Sequence, residues 1–146
     1  MIPRVQIKKL RPDAIVPRYM TAQAAGLDLA AAIDAPIAIE PGQRVTIGTG
    51  LAFALPAGFE GQIRPRSGLA RDHGVTIVNA PGTLDADYTG QLMVILINHG
   101  AEAMMIRPGD RIAQLVIAPI VQAELAVVDE LPVTERGAGG FGSTGR

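Results

Sequence analysis

The strongest constraint on the fold is a series of short aliphatic runs separated by turn signals. Pro41-Gly42, Pro56-Ala57-Gly58, Pro81-Gly82, His99-Gly100 and Pro108-Gly109-Asp110 interrupt the chain at fairly regular intervals. Such residues favour turns for backbone reasons, and short strands at this spacing are typical of β-sandwiches and barrels. The pattern therefore predicts one all-β domain of the sandwich or barrel kind.

The runs between these turns predict eight short strands and one helix. The strands are expected at 5–10, 27–32, 44–47, 51–55, 59–63, 75–79, 91–98 and 112–119. The helix is expected at 67–72, with Ser67 as its N-cap. The run at 93–97 is apolar at every position, which indicates a strand covered on both faces, with a neighbouring subunit as one candidate cover. Residues 121–131 are apolar but irregular and indicate a crossing arm or an edge strand.

Composition excludes several kinds of protein and partner. The 146 residues suffice for one domain with its own core. A formal net charge of −1 offers no basic field to a nucleic-acid polymer or an anionic membrane. The absence of cysteine excludes disulfides and thiol catalysis, and His73 and His99 lack the ligand spacing of a structural zinc site. No apolar leader opens the sequence and no run reaches the ~18 apolar residues of a membrane span, so the expected location is the cytoplasm.

A candidate phosphate site lies at residues 64–70, where Arg64 and Arg66 precede Ser67 and Gly68 at the start of the predicted helix. Helix N-termini present unpaired N–H groups, and arginine adds charge-assisted hydrogen bonds to phosphate oxygens. The alternative is an ordinary capped helix with surface arginines.

A second candidate is the loop at 79–90, between two predicted strands. Asn79 carries both a donor and an acceptor and can match an amide-like edge such as that of uracil. The carboxylate of Asp85 can hold and deprotonate a water molecule. The alternative is a turn built from residues that favour turns, which is the better explanation for Asp87.

Gln114 and the C-terminal tail complete the candidates. Strand alternation predicts that Gln114 shares a face with Ile112 and Val116, so its amide needs a partner, either backbone groups or a ligand phosphate. The last eleven residues hold five glycines together with Phe141. Such a tail is often a disordered terminus, but its polar and aromatic residues favour a lid, with Phe141 stacked on a base.

Five segments in order resemble the motifs of the homotrimeric dUTPases. They are AGLDL at 25–29, RSGLA at 66–70, GTLDADYTG at 82–90, GDRIAQL at 109–115 and RGAGGFGSTG at 136–145. Ala25 stands where a serine is frequent in that family. The resemblance implies a jelly-roll-like β-sandwich or barrel (the dUTPase-like β-clip) with one short helix. It divides the chain into a single β domain at 1–135 and a mobile, glycine-rich lid at 136–146.

The same resemblance implies an activity and its partners. A homotrimer, with active sites shared between subunits, would hydrolyse dUTP to dUMP and pyrophosphate with Mg²⁺. This reaction would keep uracil out of DNA and supply dUMP for thymidylate synthesis. The metal would be held by substrate phosphates and waters, without a direct protein ligand.

The resemblance also implies a role for each matching residue. Asp85 would activate the attacking water. Asn79, with backbone groups of Thr83 and Leu84, would read the uracil edge. Tyr88 would pack under the deoxyribose and exclude a 2′-hydroxyl. Met93, by pattern alone a core residue, would lie near the sugar or the base of the hairpin. The phosphate-binding residues would be Arg66, Ser67, Gly68 and Gln114. Asp28 would support them. The lid set would be Phe141 over the uracil and Arg136, Gly142, Ser143 and Thr144 at the phosphates.

Two other functions remain open at this point. A zinc-free dCTP deaminase would share the fold, but such relatives carry a glutamate at the place of Ile95, and isoleucine cannot act as a general acid or base. A non-catalytic trimeric β protein would bind dUTP without turnover or not bind it. The presence of Asp85, Tyr88 and the complete tail favours an enzyme.

Overall fold

The computed structural model describes residues 2–145, whose regular structure consists of antiparallel strands and one short helix. The predicted β domain at 1–135 begins at Met1 and the predicted lid at 136–146 ends at Arg146. Both of these residues lie outside the described residues. The elements are β1 (Gln6–Lys9), β2 (Gly26–Ala30), β3 (Ile37–Ile39), β4 (Arg44–Ala54), β5 (Phe59–Arg64), α1 (Ser67–His73), β6 (Val75–Ile77), β7 (Gly82–Leu84), β8 (Gln91–Asn98), β9 (Met104–Ile106) and β10 (Arg111–Pro119).

The strands form two four-stranded sheets and one two-stranded sheet. The first has the order β1-β4-β8-β6, the second β2-β10-β5-β7, and the third pairs β3 with β9. Strand neighbours in space are mostly distant in sequence, as in Greek-key and jelly-roll β-sandwiches. The all-β fold class with one short helix is confirmed.

The core lies between the sheets and follows the alternation of the strands. In β8, Leu92, Val94 and Leu96 are buried, whereas Met93 and Ile95 on the other face are exposed. Within one chain, therefore, only one face of this strand is covered. Burial of both faces, as predicted, would require contact with a second chain.

Several predicted boundaries are wrong for local reasons. The strands expected at 44–47 and 51–55 form one strand, β4, because Gly48, Thr49 and Gly50 make a bulge in it instead of a turn. The short strands β3, β7 and β9 were not predicted, since three residues carry too little periodicity. The N-cap of α1 is Arg66, without a side-chain cap, and Ser67 is the first helical residue.

The predicted face of Gln114 is also wrong. The pairing of β10 with β2 shifts register between Arg111 and Ala113, so Ile112 and Ala113 are both buried. Gln114 then lies on the less buried face, with Val116 rather than Ile112. A bulge changes which residues share a face, and a strict two-residue alternation cannot anticipate it.

Residues 120–145 contain neither helix nor strand, so the edge strand considered at 121–131 does not form within this chain. Apolar side chains of this arm are almost fully exposed, namely Val121, Leu125, Val127, Leu131 and Val133. In the part of the chain that is described, no helix is long and apolar enough to cross a membrane.

Candidate functional site

The loop at 79–90 and the first half of β8 enclose a cleft of about 230 Å³. The structure brings together here six of the residues predicted to contact substrate, which are Asn79, Thr83, Leu84, Asp85, Tyr88 and Met93. The wall combines an amide, a carboxylate and a phenol with aliphatic side chains. A small ligand that is apolar on its faces and polar on one edge fits such a cleft.

One wall of the cleft is the edge of a sheet. Among residues 2–145, β7 pairs only with β5, with Gly82 opposite Ile63 and Leu84 opposite Gly61, and it is the last strand of its sheet. An edge strand presents backbone N–H and C=O groups that no further strand uses. Successive residues of an antiparallel strand direct these groups alternately to the two sides, so one of the pair Thr83 and Leu84 offers a donor and an acceptor beside the amide of Asn79.

Tyr88 is tied to the loop at two points. Its backbone N–H donates to the carbonyl of Asp85 at 3.2 Å, and its hydroxyl donates to the carbonyl of Gln91 at 3.1 Å. The first bond closes a turn that links the exposed carboxylate of Asp85 to the tyrosine. The two side chains are thus parts of one local structure.

A second polar cluster surrounds Asp28 at the other end of β5. Its carboxylate lies 2.9 Å from Nη1 of Arg111 and 3.6 Å from Nε of Arg66. Arg66 also donates to the carbonyl of Arg111 at 3.1 Å. Gln114 lies opposite Asp28 in the β10–β2 register and donates to the carbonyl of Pro65 at 3.0 Å. Ser67 and Gly68 follow Arg66 directly and are exposed at the start of α1.

The cleft and this arginine cluster are separated within the chain. Asp85 follows Leu84, which pairs with Gly61, whereas Arg66 follows Arg64 at the far end of β5. The three residues from Gly61 to Arg64 span about 10 Å at ~3.3 Å per residue. Asp85 and Arg66 of one chain therefore lie beyond opposite ends of this stretch of β5.

The tail residues lie apart from both clusters. Arg136 donates to the carbonyl of Gly139 at 2.8 Å, and the N–H of Ser143 donates to the carbonyl of Gly140 at 3.0 Å. Phe141 is fully exposed. Of the described residues that line the cleft, none belongs to the predicted lid set, so the roles of Arg136, Phe141, Gly142, Ser143 and Thr144 stay predictions.

Within residues 2–145, no group of three or more His, Asp or Glu side chains is placed to hold a metal. Mg²⁺ commonly keeps several waters and binds through one or two carboxylates plus substrate phosphates. Asp28, the carboxylate predicted to support metal-bound waters, is paired with Arg111 and Arg66, and the role of Mg²⁺ stays a prediction.

A family model described as dUTPase matches residues 12–145. The chain belongs to the dUTPase family. It is 57% identical over 98% of its length to the deoxyuridine 5′-triphosphate nucleotidohydrolase of Nautilia profundicola, covering 99% of that protein. It is 55% identical over 97% of its length to the enzyme of the same name from Syntrophotalea carbinolica, covering 96% of it. The predicted enzyme class, a dUTP diphosphatase, is confirmed by this membership.

Solved dUTPase structures share the fold. The dUTPase of Staphylococcus bacteriophage 80alpha, solved with dUPNHPP, has a TM-score of 0.88 and 30% identity, covering 98% of this chain and 99% of that one. A dUTPase from phage phi11 of S. aureus, described with a structural Mg(II) ion, has a TM-score of 0.78 and 27% identity over 87% of this chain and 97% of that one.

Sequence reasoning missed two features of this dUTPase site. Arg111 belongs to the segment at 109–115, but its ion pair with Asp28 forms because β2 and β10 are adjacent strands. Gln91 lines the cleft, yet by pattern it is only the first residue of a strand. A glycine-threonine-glycine sequence within an apolar run was the one signal of the bulge that Gln91 contacts.

Proposed function

We propose that this chain hydrolyses dUTP to dUMP and pyrophosphate by attack of a water, held by Asp85, on the α-phosphorus. The observation that carries the proposal is the placement of Asp85, Tyr88 and Asn79 around one cleft in a member of the dUTPase family. The role that follows is to keep uracil out of DNA and to supply dUMP for thymidylate synthesis. The cytoplasmic location stays a prediction.

The base is read by donors and acceptors along the cleft wall. The pairing edge of uracil has one N–H between two carbonyls, whereas cytosine has an amino group and an unprotonated ring nitrogen. The amide of Asn79, with backbone groups of Thr83 and Leu84, can satisfy the uracil pattern. A polar site leaves groups unpaired when the wrong base binds, which penalises cytosine strongly.

The sugar is placed against Tyr88 and Met93. A flat ring packed under the deoxyribose leaves no room for a 2′-hydroxyl, so ribonucleotides are excluded by contact. The bond from the Tyr88 hydroxyl to Gln91 supports this proposal because it restricts the position of the ring.

The chemical step needs one carboxylate and one water. Asp85 accepts a proton from the water as the water oxygen bonds to the α-phosphorus. The bond from that phosphorus to the oxygen bridging to the β-phosphate then breaks, and pyrophosphate leaves. The exposed carboxylate at the end of β7 is free to turn towards such a water.

The phosphates are bound by the second cluster. Arg66, Ser67, Gly68 and Gln114 provide donors to the α- and β-phosphates, and Asp28 supports Arg66 and the metal-bound waters. Mg²⁺, held by the phosphates and waters without a direct protein ligand, would neutralise charge that develops on the leaving pyrophosphate.

The separation of Asp85 from Arg66 along β5 supports active sites shared between the subunits of a homotrimer. One subunit would contribute the cleft and another the arginine cluster. The exposed apolar arm at 121–133 supports the same assembly, because large exposed apolar surfaces mark protein contacts.

The tail at 136–146 would then close the site as a mobile lid. Phe141 would cover the uracil, and Arg136 with Ser143 and Thr144 would contact the γ-phosphate. The N–H of Gly142 would approach a phosphate oxygen. Closure of this kind excludes bulk water from the reaction.

The decisive experiment is pyrophosphate release with Mg²⁺ and each of dUTP, dCTP, dTTP and UTP. We expect release from dUTP alone, and a fall of about 10²–10⁴-fold in kcat for Asp85→Asn. Asp87→Asn, two residues away in the same loop, serves as the matched control and should retain activity. Binding of dUTP without release would favour the non-catalytic protein, and ammonia released from dCTP would favour the deaminase.

A further inference from the structure

A bulge in β4 lies directly beside the start of β8. Gly48 pairs with Met93 and Ala52 pairs with Gln91, so β4 accommodates two more residues than β8 over this stretch. Thr49 within the bulge is completely buried, and its hydroxyl donates to the carbonyl of Leu92 at 2.8 Å. The bulge is therefore attached to the strand that carries the cleft wall.

The side chain of Gln91 is the second attachment. Its Oε1 accepts a hydrogen bond from the N–H of Gly50 at 3.0 Å. Gly50 has φ +66, and a Cβ there would lie 2.9 Å from the Cβ of Ala14, so only glycine suits the position. A Cβ on Gly48 would lie 2.7 Å from Oε1 of Gln91, which shows that the amide fills the space above that glycine.

The backbone carbonyl of Gln91 is bonded to a residue of the cleft. Its carbonyl accepts the hydrogen bond from the hydroxyl of Tyr88, and the N–H of Tyr88 donates to the carbonyl of Asp85. Gln91 thus connects two parts of the molecule. Its side chain binds the buried bulge, and its main chain binds Tyr88, which in turn binds the main chain of Asp85. None of these bonds requires substrate.

We infer that Gln91 is a positioning residue for the discrimination between deoxyribose and ribose, an inference that rests on the proposed role of Tyr88. The bond to Gly50 holds the first residue of β8 in place, and the carbonyl of that residue holds the phenol. When the side-chain acceptor is removed, the carbonyl shifts and the ring gains freedom. A looser ring admits the 2′-hydroxyl of a ribonucleotide.

The test compares dissociation constants of dUMP and UMP by calorimetry, because product binding needs no turnover. Gln91→Met keeps the length of the side chain but removes the acceptor, and we expect the UMP/dUMP ratio to fall about fivefold. Gln91→Glu retains an acceptor oxygen and should restore the ratio. Its added charge acts equally on both nucleotides and cancels.

Gln43→Met is the matched control. Oε1 of Gln43 also accepts a backbone N–H, from Glu40 at 3.0 Å, at the far end of β4, away from the cleft. Gln43→Met loses the same kind of hydrogen bond and should keep the wild-type ratio of the UMP and dUMP dissociation constants. Gln91→Met should have no additional effect in a Tyr88→Phe background, since Tyr88 is the group through which Gln91 acts.

An unchanged ratio in Gln91→Met overturns the inference, as does an additional fall in the Tyr88→Phe background. If Gln91→Met does not fold, Tyr88→Phe alone decides, because it removes the donor of the same link; an unchanged ratio there also overturns the inference. A wild-type protein that selects dUMP over UMP but releases no pyrophosphate from dUTP would overturn the proposed reaction and leave this measurement intact.

Discussion

Arg111 and Asp28 form an ion pair between β10 and β2, with Nη1 and Oδ2 2.9 Å apart. The other oxygen of the same carboxylate lies 3.6 Å from Nε of Arg66. One acidic side chain therefore places two guanidinium groups at one end of the sheet. In the absence of this carboxylate, the two cations would repel each other and separate.

This geometry predicts the effect of Asp28→Asn, which keeps the size of the side chain but removes its charge. We expect KM for dUTP to rise about tenfold with little change in kcat, because the arginines lose a charged hydrogen-bond partner. Steady-state pyrophosphate release measures both constants. Asp34→Asn breaks a comparable pair with Arg11 elsewhere on the surface and should leave KM unchanged. An unaltered KM in Asp28→Asn would show that the carboxylate does not organise the phosphate site.

Sharing of active sites predicts complementation between inactive chains. Asp85→Asn and Arg66→Ala should each be nearly inactive alone. After the two variants are unfolded together and refolded as a mixture, some sites combine an intact Asp85 from one chain with an intact Arg66 from the other. Pyrophosphate release should then reappear in part. If every mixture stays inactive although mixed oligomers form, both groups must come from the same chain.

The lid proposal predicts that the tail acts on turnover and not on assembly. Deletion of residues 136–146 should nearly abolish pyrophosphate release, because bulk water then enters the site and the γ-phosphate loses its donors. Light scattering should still report the mass of a trimer. A monomeric product would mean that these residues stabilise the oligomer.

A surface pair predicts a pH dependence of stability. Asp13 accepts hydrogen bonds from Arg11 at 2.9 Å, and these hold the pKa of the carboxyl below its ordinary value of 3.8. A lowered pKa in the folded state contributes stability above the unfolded pKa, and that contribution is lost as pH falls through the folded pKa. The urea midpoint of Asp13→Asn should therefore lie below that of the wild type at pH 7. The two midpoints should converge as the pH falls through the lowered pKa of the folded state, below 3.8, and a difference that stays constant with pH would contradict the prediction.

Several parts of this protein follow from local sequence. The continuous apolar run of β8 and the turn residues that bound it predict that strand at its observed limits, Gln91–Asn98. Asn79, Asp85 and Tyr88 lie in one loop, so their presence around one cleft follows from their nearness in the chain. The family could be predicted because its motifs are short segments whose order is preserved.

The remaining features required the tertiary structure. Gly48, Thr49 and Gly50 have the composition of a turn, and only pairing with β8 makes them a bulge. The ion pair of Arg111 with Asp28 joins residues that the chain separates by most of its length. The sequence by itself determined which chemical groups are present and which local segments carry them. The tertiary structure decided their neighbours, because strand order and register depend on how all the strands bury their apolar faces together.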